Sequence, residues 1–322
     1  MRIKRCLVAA LALVLGAAPV LAQDYPAKPV RIIVPTAPGG FADIVARLFA
    51  QKFGDKTKQA IVVENKTGAG GVIAADSVAK APPDGYTLYL GLHATNSILP
   101  SLDPKLPYDA AKDFAPVIHI ANLPNVLVVN PKVEARTVAE LVELARAKPG
   151  TLSYASQGIG ASGHIAGEQF RLLTRTNIVH VPYKGAAPAL QDLRAGHVSM
   201  MFDVVPFALQ HIKEGSVRGL AVTAPQRLAV LPDIPTMAEV GYPDIQGGAW
   251  FALFAPANTP SAIIDRLNKE AREAFTSADV REQLEPRGVV LVLGSPQDLG
   301  RHVAADTERW AKVIREAGIK LE

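Results

Sequence analysis

A short apolar run, Val30-Arg31-Ile32-Ile33-Val34, gives way to Pro35-Thr36-Ala37-Pro38-Gly39-Gly40 and then to a helical repeat that begins near Phe41. This unit constrains the fold more than any other stretch. The β-branched run reads as a buried strand. Pro35 and Pro38 cannot donate to a ladder, so the strand must end there. Gly39 and Gly40 permit a close backbone approach. Ile44, Val45 and Leu48 then recur at helical spacing. A strand that feeds a loop opening a helix aims free backbone N–H groups at one point, and such a point suits an anion. An ordinary βα turn with no ligand accounts for the same residues equally well.

The same alternation continues along the chain. Ala60–Glu64 reads as a strand, Asn65–Gly71 as a glycine-dense loop and Val72–Lys80 as a helix. Tyr86–Gly91 is a further strand, running into His93-Ala94-Thr95-Asn96-Ser97. This pattern predicts an α/β layer with a parallel sheet. Val117–Ile120 and Val126–Val129 read as two strands around Asn122-Leu123-Pro124, where the chain is expected to cross into a second lobe. Thr137 with Glu140 forms a capping box for a helix to Ala147. Strands are expected at Leu152–Ser156, Ile178–Pro182, Met200–Asp203, Gly219–Thr223 and Ala249–Ala255. Thr259-Pro260 predicts an N-cap followed by proline at the first helical position, and Ser295-Pro296 with Asp298 opens the last helix in the same way. Val34–Gly40 and Val181–Ala187 echo one another as strand–Pro–loop–helix units, each followed by an acid, Asp43 and Asp192. Two lobes presenting such loops predict a cleft between them.

The first residues carry a different signal. Arg2, Lys4 and Arg5 precede the apolar Leu7–Leu15, and Val20-Leu21-Ala22 offers a cleavage site after Ala22, so residues 1–22 read as a signal peptide. Cys6, the one cysteine, falls inside it. The remaining chain thus has no disulfide framework, and a large core must supply its stability. The net charge of +4 includes the three basic residues of that segment, which leaves about +1 for the rest. No Lys/Arg cluster interleaves with aromatics, which argues against a nucleic-acid partner. No later stretch is long and apolar enough to cross a membrane.

Gly158-Ile159-Gly160-Ala161-Ser162-Gly163 matches G-x-G-x-x-G. A dinucleotide site also needs an acid at the end of the next strand, where the sequence has His180-Val181-Pro182-Tyr183-Lys184. A glycine loop offering N–H groups, the Ser156 and Ser162 hydroxyls and His164 to a small anion is the simpler reading; a tight turn with solvated serines is simpler still. Nothing in the spacing calls for a cofactor. The seven histidines are scattered, with no paired metal-ligand spacing. No serine sits in G-x-S-x-G, and Ser162 and His164 lie only two apart on one turn, which weighs against a hydrolase. Asp43 and Asp203 fit loop-ordering acceptors, or partners for the amine of an amino-acid ligand, better than catalytic carboxylates. Lys184 could pair with a ligand carboxylate, or lie solvated. Thr95 and Asn96 follow a strand's carboxyl end, where ligands of α/β sheets bind.

The residues Tyr25–Pro35, Pro38-Gly39-Gly40 with Asp43, Val62–Gly71, Pro83–Leu88, Val181–Gly185 and Phe254-Ala255-Pro256, in this order behind a signal peptide, resemble the Bug-type solute receptors of tripartite tricarboxylate transport systems. The resemblance covers essentially the whole chain. It implies a two-lobed, flytrap-like α/β periplasmic binding fold of type II, with a first lobe of residues 23–124 and 246–322 and a second of 125–245. It implies no catalysis, no cofactor and no metal. The ligand is expected to be a small carboxylate pinched between loops, and the partners are membrane permease subunits, met transiently by a monomer. Carried over by position, Pro38, Gly39, Gly40 and Asp43, with Thr95 and Asn96, are first-lobe candidates. Ser156, Ser162, His164, Tyr183, Lys184 and Asp203 are those of the second lobe. Many members carry an aromatic after the strand proline, where Thr36-Ala37 stands here. The smaller residues open room and Phe41 offers an apolar wall, which allows a larger or partly aromatic ligand. Two other functions remain open at this point: a sensor presenting the ligand to a membrane histidine kinase, and a periplasmic serine hydrolase.

Overall fold

The computed structural model describes residues 25–320, so the signal segment and its cleavage site lie outside the described residues. The opening unit forms as its sequence requires. Strand β1, Val30–Val34, buries every residue except Arg31. Arg31 makes a bidentate ion pair with Glu64 at 2.6 and 2.7 Å. Helix α1 spans Phe41–Thr57 and buries Ala42, Val45, Ala46, Phe49 and Phe53. Its stripe is thus centred on the two phenylalanines, with Ile44 and Leu48 only partly covered.

The other elements follow in chain order. They are β2 Ile61–Asn65, α2 Val72–Ala79, β3 Thr87–Leu92, β4 Phe114–Val129, α3 Val138–Ala147, β5 Ser153–Ser156 and α4 Ser162–Thr174. Then come β6 Val179–Pro182, α5 Ala186–Ala195, β7 Met200–Val204, α6 Val205–Lys213 and β8 Arg218–Val222. The chain closes with β9 Gly248–Pro256, α7 Ser261–Thr276, α8 Ala278–Leu284, β10 Val290–Leu291 and α9 Pro296–Ala317.

The strands run β2-β1-β3-β9-β4 in the first lobe, with the short β10 also pairing β4, and β6-β5-β7-β4-β8 in the second, with β4 passing through both. Each lobe sets three parallel strands beside an antiparallel pair. The sheet is therefore mixed, where alternation alone predicted a parallel one, because β4 and β9 each run back against the strands beside them. The symmetry also corrects the sequence echo. By position in its sheet β1 corresponds to β5, and β6 corresponds to β2, so Val34–Gly40 and Val181–Ala187 are not equivalent units.

The two strands expected around Asn122-Leu123-Pro124 are one strand of 16 residues. Its pairing with β9 shifts register beside Pro116 and again between His119 and Ala121, while Pro124 stays in register. Opposite Pro124 stands Gly248, whose Cβ would lie 2.1 Å from the Leu123 carbonyl oxygen. The Thr259 cap also differs from expectation. The α7 N-cap is Pro260, and the Thr259 hydroxyl donates to the Pro256 carbonyl at 2.7 Å. The capping boxes at Thr137/Glu140 and Ser295/Asp298 both form.

Helices cover both faces of each lobe. Phe49, Phe53 and Phe275 fill one face of the first lobe, and Tyr89, Phe114, Trp250 and Phe254 fill the other. Tyr154, Phe170 and Phe202 fill one face of the second lobe, and Leu190, Leu193 and Met201 fill the other. The lobes meet where Ile165 of α4 packs with Ile98 and with Trp310, Val313 and Ile314 of α9. Among the described residues no helix is long and apolar enough to cross a membrane.

Candidate functional site

In the strand order, β1 and β3 of one lobe and β5 and β7 of the other flank the crossing strands β9 and β4. In the first lobe, Gly71 (φ +99°) has no room for a side chain. A Cβ there would lie 2.8 Å from Thr95 Cγ2 and 3.1 Å from Pro35 Cβ, so the loops after β1, β2 and β3 touch. Asp43 fixes the first of them. Its carboxylate accepts from the Gly39 N–H at 2.9 Å, Arg47 Nε at 2.9 Å and Asn65 Nδ2 at 3.0 Å. Asn65 Nδ2 also donates to the Thr36 carbonyl. Burial works to raise the Asp43 pKa, but these donors outweigh it and hold the group below its ordinary value. Asp43 thus sits under the loop with its oxygens occupied. Thr36, Ala37, Pro38, Gly39 and Gly40 form the loop itself, and the Thr36 hydroxyl is buried without a partner.

Phe41 opens α1 and packs against Phe251 of β9, the rings tilted by 50° with centroids 5.0 Å apart. Val204, at the end of β7 in the opposite lobe, belongs to the same apolar cluster. This places the first loop across from the second lobe. Thr95 and Asn96 lie in a π-helical turn, Ala94–Ile98, just after β3. The Thr95 hydroxyl accepts from Tyr89 Oη at 2.7 Å and donates to Asn96 Oδ1 at 2.8 Å. Asn96 Nδ2 and Ser97 Oγ are buried without partners.

In the second lobe the glycine loop 157–163 is drawn down onto β7. Gln157 Nε2 donates to Asp203 Oδ1 at 2.8 Å and to the Phe202 carbonyl at 3.1 Å. At Gly163 a Cβ would stand 2.2 Å from the Phe202 carbonyl oxygen, so only glycine lets α4 start this close to the sheet. Asp203 is fully buried, and its Oδ2 has no partner. Burial pushes its pKa up to about 7, against the pull of the Gln157 and Val204 donors. Ser162 Oγ donates to Asn125 Oδ1 at 3.3 Å. The far side of the loop faces the first lobe, since a Cβ on Gly160 would lie 3.3 Å from Leu102 Cδ1.

The serine–histidine contact here is not between Ser162 and His164. His164 Nδ1 accepts the Gly160 N–H at 3.1 Å, and its ring stacks on His180 at 4.1 Å. Burial, with His180 adding to it, lowers the His164 pKa to about 4, which keeps the ring neutral. Ser156 Oγ lies 2.7 Å from His180 Nε2, but Ser156 is completely buried and its oxygen also accepts the Gly158 N–H. Tyr183 donates to Asp192 at 2.7 Å, away along α5, and Lys184 is exposed. Sequence reasoning missed Asn65, Asn125, Gln157 and His180. Asn65 was visible within Glu64-Asn65-Lys66-Thr67-Gly68. The other three had no local signal, since their partners stand 24 to 46 positions away.

Helices α1, α4, α5 and α6 start at these strand ends after Gly40, Ala161, Gly185 and Val204, and none has a side-chain cap. Helices α3 and α9, by contrast, carry complete capping boxes. Helices α2, α7 and α8 also start uncapped, so what matters for these four is their place at the strand ends rather than the lack of a cap. Uncapped first turns present N–H groups and the positive end of the helix dipole.

A family model described as the tripartite tricarboxylate transporter family receptor matches residues 45–319. The chain belongs to this receptor family. Among family relatives, Protein BugT of Bordetella pertussis is 40% identical over 307 residues, covering 95% of this chain and 94% of that protein. MatC from Rhodopseudomonas palustris, solved with bound malate, is 34% identical with a TM-score of 0.77, over 90% of this chain and 100% of that one. R. palustris Rpa4515, solved with adipate, is 39% identical with a TM-score of 0.80, over 92% and 99%. The two-lobed architecture of the family is thus the architecture of this chain.

Proposed function

We propose that this protein is an exported receptor that closes its lobes on a small organic carboxylate and delivers it to a tripartite tricarboxylate-type membrane transporter. The observation that carries the reading is the gathering of uncapped helix starts and unpartnered buried polar atoms at one set of strand ends. Thr36 Oγ1, Ser97 Oγ, Gln157 Oε1 and Asp203 Oδ2 are all left without partners there. Buried polar groups are ordinarily satisfied, so such a cluster marks where water or a ligand supplies the missing bonds. Thr36 to Phe41 form one jaw, and the loop through Ser162 forms the other. Asp43, Thr95, Ser156, His164, Tyr183 and Asp203 shape these loops from behind. Backbone N–H groups bind a carboxylate without a buried arginine and hold neutral or cationic molecules poorly. The malate and adipate of the two R. palustris relatives support the ligand class.

The division into residues 23–124 with 246–322 and residues 125–245 fits a hinge in β4 and its return near Gly247. Export by a signal peptide, a monomeric state and transient permease contact complete the reading. Turnover is not expected, because the buried Ser156 cannot reach a substrate carbonyl. A thermal-shift screen of mono- and dicarboxylates tests the proposal. An acid at about 100 times its Kd should add about 2.7 kcal/mol of stability. No shift with any acid, or hydrolysis of the corresponding esters, would overturn it.

A further inference from the structure

Under α9, on the face of the first lobe that carries Phe114 and Phe254, lies a groove of about 400 Å³. Phe114, Phe254, Val303 and Ala304 make its walls, and Asn96 lines it. Asn96 is 1% exposed. Its Oδ1 accepts from the Thr95 hydroxyl at 2.8 Å, a hydroxyl that also reaches the Leu92 carbonyl at 3.2 Å. The Asn96 amide nitrogen is a buried donor without an acceptor. The ionisable side chains lining the groove are Asp109 and Glu308, both acids, and among the described residues no basic side chain lines it. Asp109 is paired with Lys112 at 2.9 Å, which holds it ionised.

We propose that this groove is a second small-molecule site, for a neutral molecule with an apolar body and a single hydrogen-bond acceptor that meets Asn96 Nδ2. The volume suits a small ligand, and apolar walls around one buried polar group are the ordinary make-up of such a site. The acidic lining repels the carboxylates proposed for the interlobe cleft, so the two sites select different chemistry. An occupant would touch α9 and the turn Ala94–Ile98 together, and these same segments supply Trp310 and Ile98 to the contact between the lobes.

Three isosteric probes test the assignment: 4-phenylbutan-2-one, 3-phenylpropanoate and butylbenzene, titrated into the full protein at pH 7.5 while the Ala304 methyl resonance is followed by NMR. The ketone should shift that resonance saturably and bind about tenfold more tightly than butylbenzene, the difference one neutral hydrogen bond supplies. The carboxylate should leave the resonance unmoved. Asn96→Ala should bring the ketone down to the affinity of butylbenzene. Ala304→Phe, a change at an exposed position, should fill the groove and lower ketone affinity by about tenfold or more, as read from the Val303 methyls. No shift with the ketone up to its solubility, equal binding of ketone and carboxylate, or unchanged affinity in Ala304→Phe would overturn the proposal.

Discussion

Replacing Asp203 by asparagine should stabilise the protein, and by an amount set by pH. Asp203 is fully buried at the end of β7, and one of its oxygens accepts from Gln157 and from the Val204 N–H. The other oxygen meets no donor, so ionisation places an uncompensated charge in the core. Its pKa accordingly rises from 3.8 to about 7. The folded state keeps this proton in a range where the unfolded chain has released it. The native protein therefore loses stability as pH rises from about 4 to 7, by about 1.4 kcal/mol per unit, and the loss is complete above 7. Asparagine keeps the Oδ1 acceptor for both donors and carries no charge. The variant should thus gain up to about 4 kcal/mol over the native protein at pH 8, and that advantage should vanish near pH 4. Urea denaturation of both proteins at pH 4.5, 6 and 8 measures the difference. Stability curves that stay parallel across this range would refute the argument.

Protonation of the buried histidines acts in the opposite direction. Burial lowers both His119 and His164 to about 4, so each folded state resists a proton that the unfolded chain takes up below 6.5, and stability falls as pH drops from about 6.5 to 4. His119→Gln should flatten that fall in pH-dependent urea unfolding, and an unchanged slope would contradict the assignment. Gly163→Ala forces a Cβ to 2.2 Å from the Phe202 carbonyl and should cost about 1–3 kcal/mol by urea unfolding, with weakened carboxylate binding; native-like stability would show that α4 can draw back freely. Phe41→Ala removes the ring that packs against Phe251 and should lower affinity for an aromatic carboxylate more than for an aliphatic one in calorimetric titration. If every ligand binds the variant as before, Phe41 is no part of the pocket wall.

Local signals reached far into this fold. The strand, loop and helix from Val30 to Thr57, and the capping boxes at Thr137 and Ser295, depend on residues close in sequence, and each formed where its pattern placed it. The long strand β4 was not legible, because Asn122-Leu123-Pro124 reads as a break between two strands. It persists through pairing with β9, where Ala121 meets Phe251, some 130 positions away. The same limit applies to the candidate site. The glycine loops were visible as glycine. That Gln157 ties its loop to Asp203, and that Asn65 ties Asp43 to Thr36, depends on strands brought together by the sheet. The repeat was visible too, but its register was not, because the proline after a strand recurs at β1 and β6 while the sheet pairs β1 with β5 as equivalents.

The central claim is that uncapped helix starts and unpartnered polar atoms at the strand ends hold a carboxylate. Calorimetric titration of the purified, ligand-stripped protein with adipate and malate, each beside its uncharged diamide, tests it most directly. The account predicts stoichiometric, one-to-one binding of at least one acid and none of its diamide, with affinity lost in Gly163→Ala. Equal binding of acid and diamide, or no binding of either acid, would contradict it.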